Sequence, residues 1–411
     1  MDYRHRFSLE LAPLLPIAVS MAVGIIVGQH VGHWTVAVGI GGLLAALTML
    51  LRRWPRLQTT GIVLCVLAVG WALGAQAVQE HSERGGQTVQ RQHGVVQRVE
   101  QTKARFLVWR QQLLEQYRQW GMDDDVYGVA AAMTLGDKRA LDPEIKERYS
   151  RAGASHILAL SGMHLMVIYS VVTLLLGWGR RRLWSQTLVV LSIWAFALLT
   201  GLSPSVTRAS WMITAYALLS LGYRQRMSLN TLCFVAIVMW VVDPLAIYDI
   251  SFQLSFAAVL AIVLLNPLLY GLIAPDVLQR HRWWAALWGL TTVSLSAQLG
   301  TAPLVAYHFG RVATWFLLTN YIVIPLGTLV LYLAVVCVVS GLTGVGIGVS
   351  VLLLTTVIRW MNSLLAWVAQ LPGSSIEGLH PSVVQTLLVY VLIGCCAVLL
   401  SLRRPVVVRN A

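Results

Sequence analysis

The sequence predicts an all-α polytopic integral membrane protein of about twelve transmembrane helices, some broken or re-entrant, and three observations carry that prediction. Of the 411 residues, 57% are hydrophobic and only 11% are charged, against about a quarter charged in an average soluble domain. Apolar runs close to the roughly 20 residues that a helix needs to cross a bilayer recur along the whole chain. Arginines gather in alternate short loops, the bias expected of cytoplasmic loops in a membrane protein.

Three apolar runs, 11–28, 34–51 and 61–78, form an N-terminal membrane block over residues 1–78. No secretory signal peptide is expected, because two further runs follow the first and no small-residue cleavage site is evident. Residues 79–124 are an outer-face polar segment in which Phe106, Trp109, Leu113, Tyr117 and Trp120 recur at helical spacing. That amphipathic helix lies on the bilayer surface or packs on the bundle. Polar character persists to about Ser155, and the membrane domain is set at 125–402.

Nine more runs are placed at 157–178, 183–202, 206–221, 229–242, 252–269, 283–307, 314–339, 345–370 and 383–402. The runs at 206–221 and 229–242 are short and 314–339 contains Pro325, so breaks are expected there. Irregular backbone survives at membrane depth only where protein or a wet cavity surrounds it. With the N-terminus inside, Arg4, Arg6, Arg52, Arg53, Arg56, Arg180, Arg181, Arg182, Arg224, Arg226, Arg280, Arg282, Arg403, Arg404 and Arg409 are all cytoplasmic. Only Arg311 is basic among the short outer loops, so both termini, including the basic tail 403–411, are expected in the cytoplasm of a cell with this chain in its inner membrane.

The net charge of +13 decides little, since inner-face arginines produce it without an anionic partner. The cysteines at 65, 233, 337, 395 and 396 lie in apolar runs without C-x-x-C spacing and read as small hydrophobes. No metal and no cofactor are expected.

Chemistry concentrates in three places. Gly136-Asp137-Lys138 precedes Ser155-His156 and Ser161-Gly162-Met163-His164 at the start of the fourth run. On a regular helix His156, Leu160 and His164 would lie within about 80° of one another, giving one polar face. Alternatively these groups join helices, with Gly153 and Gly162 permitting close approach. Next, Gly201-Leu202-Ser203-Pro204-Ser205 interrupts an apolar run and Arg208 opens the following one. An arginine at that depth faces a partner or water, or else snorkels to the surface. Third, Asp249 and Gln253 share a helical face, as do Ser251 and Ser255; Asp249 either lines a path or caps the helix. Arg359 in mid-run demands a partner. After Arg151 only Asp243, Asp249, Asp276 and Glu377 are acidic, a balance that suits a polyanion.

The fragments G-D-K, A-G-x-S-H-x-L-A-x-S-G-x-H, S-x-x-R-A, D-P and D-I-S-F-Q-L-S-F occur in the order and at about the spacing of the ComEC competence-protein family, which this chain resembles over residues 125–402. The resemblance implies a channel that passes single-stranded DNA through the cytoplasmic membrane during natural transformation. It carries Asp137, Ser155, His156, Ser161, Gly162, His164, Arg208, Asp249, Ser251, Gln253 and Ser255 over as path or gate residues. Fuller members resemble an OB-fold outside the membrane, for which residues 79–125 are too short and too helical, and many end in a metallo-β-lactamase-like domain that is not seen here. An outer DNA receptor and a nuclease are therefore expected from other proteins, with no catalysis by this chain. No P-loop occurs, so a cytoplasmic ATP-driven helicase or translocase is expected to pull the strand. Two other functions compete. One is a transporter of a small anionic solute. The other is an intramembrane serine hydrolase built on Ser161 and His164, although such enzymes usually bring the base from another span.

Overall fold

The structure, a computed structural model, describes residues 12–51, 54–84, 94–176, 182–220 and 229–402. Most of the arginines used for orientation, and the basic tail, lie outside the described residues. In chain order the helices are α1 (Leu14–Val31), α2 (Trp34–Leu50), α3 (Pro55–Arg84), α4 (Gly94–Gln119), α5 (Asp124–Leu135), α6 (Pro143–Arg151), α7 (Ser155–Leu158), α8 (Gly162–Leu176), α9 (Arg182–Leu199), α10 (Pro204–Ser220), α11 (Leu229–Val242), α12 (Ile250–Tyr270), α13 (Pro275–Arg280), α14 (Arg282–Phe309), α15 (Phe316–Thr343), α16 (Ile347–Gln370) and α17 (Val383–Leu402). A helix occupies each of the twelve predicted runs. Six are long and apolar enough to cross a membrane, namely α1, α3, α12, α15, α16 and α17; α2, α8, α9 and α11 are shorter apolar helices. Helix closes every backbone hydrogen bond within the segment, which is why apolar chain in lipid adopts it.

The chain divides into two compact units, one of residues 1–99 with 211–253 and one of residues 100–210 with 254–411. Besides the first three helices, the first unit holds the last ten residues of α10, all of α11 and the turn after it. In the first unit α1 and α3 touch through backbone. Gly24 and Gly28 lie against the main chain of Leu67 and Trp71, and Gly70 and Gly74 against that of Met21 and Ile25, so a Cβ at any of the four would overlap backbone atoms. Small residues four apart allow this approach, and dispersion between the backbones replaces a hydrophobic drive that lipid cannot supply. The Trp71 indole N–H donates to the Gly32 carbonyl at 2.8 Å and closes one end of the pair.

In the second unit the core forms around α5. Every residue from Val126 to Leu135 is buried, packed with α15, α16, α6 and α7. Small side chains at Ala130, Ala131 and Ala132, all 0% exposed, let the larger helices close on it. The sequence reading folded this segment into the polar outer stretch; at 12 residues it is too short to register as a span, yet it is the most enclosed helix in the unit. The amphipathic helix packs on the bundle rather than lying free, because Leu114 and Tyr117 of α4 enter the same core. Leu113 and Trp120 of the predicted face pack against it as well, while Trp109 is 54% exposed. Outside the helices, β1 (Arg311–Ala313) pairs antiparallel with β2 (Ser375–Glu377), Val312 opposite Ile376, a clasp across α15 and α16 that no alternation in the sequence announces. By contrast α17 buries little of its surface, and Leu387, Leu388, Val391 and Leu392 project outward, as lipid-facing side chains do.

Three expectations about broken helices are corrected. Helix α15 runs unbroken through Pro325, α10 is continuous over 17 residues, and α11 over 14. The break falls instead inside the run expected to be regular: α7 ends after four residues, Ala159 is extended at φ −95° and ψ 133°, and α8 starts afresh at Gly162.

A broken helix beside a buried arginine

Because of that break, His156, Leu160 and His164 do not share one helical face. Ser155 and His156 are exposed, and His156 Nδ1 lies 3.2 Å from the Gly153 carbonyl. His164 is 2% exposed. Its Nδ1 accepts the backbone N–H of Ser161 at 3.0 Å and stands 3.1 Å from Ser161 Oγ. Ser161 precedes the first helical residue and His164 is the third, so the pair is a capping box with histidine in the position usually taken by Glu or Gln. The imidazole satisfies a backbone donor that the break would otherwise leave bare.

Around this restart, three other segments close in. Helix α5 ends in a left-handed Gly136 (φ 71°), with Asp137 N–H bonded back to the Ala131 carbonyl at 3.1 Å; a Cβ on Gly136 would run into the Leu160 side chain. The extended segment 159–161 therefore rests on the end of α5. Helix α15 offers Gly327, beside Ile157, Met133 and Met163. Helix α10 offers Ala209, 3.9 Å from where a Gly162 Cβ would sit.

The turn into α10 is strained: Gly201 at φ 77° is followed by Leu202 at φ 58°, a left-handed conformation unusual for leucine. Pro204 then takes the first helical position, where its missing N–H costs nothing. One turn on, Arg208 is 2% exposed and its Nη2 donates to Ser205 Oγ at 3.1 Å. The arginine is inside protein rather than snorkelling. Ser203, Thr207 and Ser210 stand at i, i+4 and i+7 on one face of α10, and their hydroxyls are buried with no hydrogen-bond partner among the described residues. Ser203 and Thr207 belong to the stretch that singles out Arg208 in the sequence; Ser210, one turn beyond Thr207, lies outside it, although its helical spacing is legible.

At the end of α5, Asp137 is 6% exposed. Arg139 grips it, with Nη2 to Oδ2 at 2.6 Å and Nε to Oδ1 at 3.0 Å, and Arg110 Nη2 stands 3.8 Å from Oδ2. The Arg139 hydrogen bonds hold the Asp137 carboxyl below the usual carboxylate range. Leu107, Arg110 and Gln111 of α4 and the 136–139 turn enclose a cleft of about 530 Å³.

Asp249, Ser251 and Gln253 belong to the first unit, with none of the groups above. Asp249 Oδ1 accepts the Ser251 N–H at 2.9 Å, and the Gln253 amide donates to the Ile247 carbonyl at 3.0 Å. Both bonds fix the start of α12, so the capping alternative describes Asp249 in this structure. Arg359 has the partner its position demanded: Nη2 meets Asp123 Oδ2 at 2.5 Å.

These features define a polytopic α-helical membrane protein with a helix break and a buried cation and hydroxyl seam in one of its two units. The model of the family described as Competence protein matches residues 133–403, and the chain belongs to that family. It is similar to ComE operon protein 3 of Bacillus subtilis (strain 168), 28% identical over 271 residues, which are 63% of this chain and 32% of that protein. Competence protein ComA of Neisseria gonorrhoeae is 26% identical over 242 residues, 54% of this chain and 33% of its own. The chain thus spans about a third of the length of these two curated relatives. No solved structure matches it.

Proposed function

We propose that this chain conducts single-stranded DNA across the cytoplasmic membrane during natural transformation, as a channel and not as an enzyme. Membership of the competence-protein family supports the setting. The observation that carries the reading is the seam on α10, where buried Arg208 accompanies the Ser203, Thr207 and Ser210 hydroxyls. Buried polar groups without partners are costly, at roughly 1–3 kcal/mol each, and a bundle keeps them where water or a polar ligand enters in another state. Cation and hydroxyls suit a phosphate backbone and ignore base identity. Arg208 is sealed here, so the strand passes only when α8 and α10 part next to the break at 159–161. On this reading both termini are cytoplasmic, an outer receptor and nuclease deliver the strand, and a cytoplasmic ATP-driven translocase pulls it.

The test is transformation frequency in a deletion strain complemented with wild type or Arg208→Ala, with membrane abundance of each protein measured. Loss in the deletion and in the variant, with DNA still bound to the cells, is expected. Normal transformation by the deletion strain sinks the proposal and favours transport of a small anionic solute.

The 3.1 Å contact between Ser161 Oγ and His164 Nδ1 favours a second reading, an intramembrane serine hydrolase. Against it, the same Nδ1 already accepts the Ser161 backbone N–H. Ser161→Ala abolishes a hydrolase outright, whereas a capping serine tolerates the change in part.

A further inference from the structure

The cleft between α4 and the 136–139 turn holds three cations, Arg110, Lys138 and Arg139, against one carboxylate, Asp137, for a net +2. The carboxylate is oddly placed for stability. It sits two residues beyond the last residue of α5, at the negative end of the helix dipole, where an anion is disfavoured. The Schellman-type turn at Gly136 leaves it no freedom to move along the chain.

Its cations are unequally served. Arg139 is bonded at two atoms but its side chain is 76% exposed, free to swing. Arg110 is only 17% exposed, its contact with Asp137 is 3.8 Å, beyond hydrogen-bond length, and its Nε is buried with no hydrogen-bond partner among the described residues. A guanidinium carries five donors and rarely stays inside protein so poorly satisfied. An anion that brings two oxygens up to the guanidinium edge, as the non-bridging oxygens of a phosphodiester can, would bond it better than Asp137 does at 3.8 Å.

We propose that this cleft is a phosphodiester subsite for the incoming strand and that Asp137 is its built-in competitor, holding Arg139 and Arg110 in place until a phosphate displaces the carboxylate. The proposal rests on the strand-conducting reading and adds to it a first contact outside the α10 seam. Competition of this kind keeps binding weak enough for the strand to move on.

The experiment uses the full chain in phosphatidylcholine nanodiscs and a fluorescent oligothymidylate, with anisotropy read over a range of salt. Asp137→Asn is expected to tighten binding several-fold. Arg110→Gln and Arg139→Gln are expected to weaken it several-fold, each lowering the salt slope by about 0.7. Thermal unfolding accompanies each variant, and the exposed Arg139 provides the substitution least able to disturb the fold. Wild-type binding that is indifferent to all three changes overturns the subsite and leaves the channel reading standing. Absence of oligonucleotide binding by both wild type and Asp137→Asn overturns the two together. Competition for the cleft by phosphatidylglycerol in the nanodisc or by inorganic phosphate, without any effect of the three substitutions on oligonucleotide binding, assigns it to a lipid headgroup or free phosphate and overturns the strand assignment.

Discussion

Two stretches of the second unit invert what their residues suggest. Helix α15 contains Pro325 and stays whole, whereas the run beginning at Ser155 contains no proline and breaks. Proline removes one N–H and crowds the carbonyl four residues back, Tyr321 here, but neighbouring helices can absorb that loss in a membrane bundle. A true break is harder, because it bares several donors at once. It persists at 159–161 because His164 caps Ser161, Gly136 gives Leu160 room, and α5, α10 and α15 surround the gap. Breaks follow from what receives the backbone, not from which residue is a poor helix former.

The largest expected effect comes from removing that reception. Gly136→Ala meets Leu160 and must hold φ 71°, so we expect a loss of about 2–3 kcal/mol, from positive-φ strain plus overpacking, and failure of transformation. Unchanged thermal unfolding of the detergent-solubilised protein would show that the extended segment does not depend on α5. Next in size, His164→Ala removes the cap and should cost about 1–2 kcal/mol. His164→Gln supplies the usual capping acceptor and should restore stability. If it also restores transformation, the imidazole serves the break alone; a folded but inactive His164→Gln protein places the ring on the path.

The helices themselves were legible because apolar runs of spanning length have little other fate in lipid, and each predicted run contains one. What escaped was the short, small-residue α5, whose burial depends on α15 and α16 arriving from far along the chain. The candidate residues were legible as types but not as roles. Asp249 and Gln253 tie down the start of α12, Ser155 and His156 are exposed, and His164 is a cap, all set by hydrogen bonds that spacing leaves open. Arg208 is legible by its charge in an apolar run, with Ser203 and Thr207 in the stretch around it, while Ser210 passes unnoticed because isolated hydroxyls are ordinary in membrane helices.

A smaller effect probes the other side of the comparison. Pro325→Ala returns a donor to α15, which is already continuous, and should stabilise by no more than about 1 kcal/mol while leaving transformation unchanged. Lost transformation with a stable protein would make Pro325 a hinge that this closed arrangement does not reveal.

The smallest effect concerns the tie between α16 and the start of α5. Arg359 of α16 meets Asp123 at the start of α5, with side chains 56% and 63% exposed. Lipid cannot solvate such a pair, so if it faced hydrocarbon, breaking it would cost several kcal/mol. Polar neighbours argue for water instead: Tyr149 donates to Asn362 at 2.6 Å one turn further along α16, and Arg311 meets Glu147 at 3.2 Å on α6. A double-mutant cycle of Arg359→Gln and Asp123→Asn, read by thermal unfolding, should therefore give a coupling of only about 0.2–1 kcal/mol, falling with salt. Strong, salt-insensitive coupling would put this face of α16 within the bilayer and α5 at membrane depth with it.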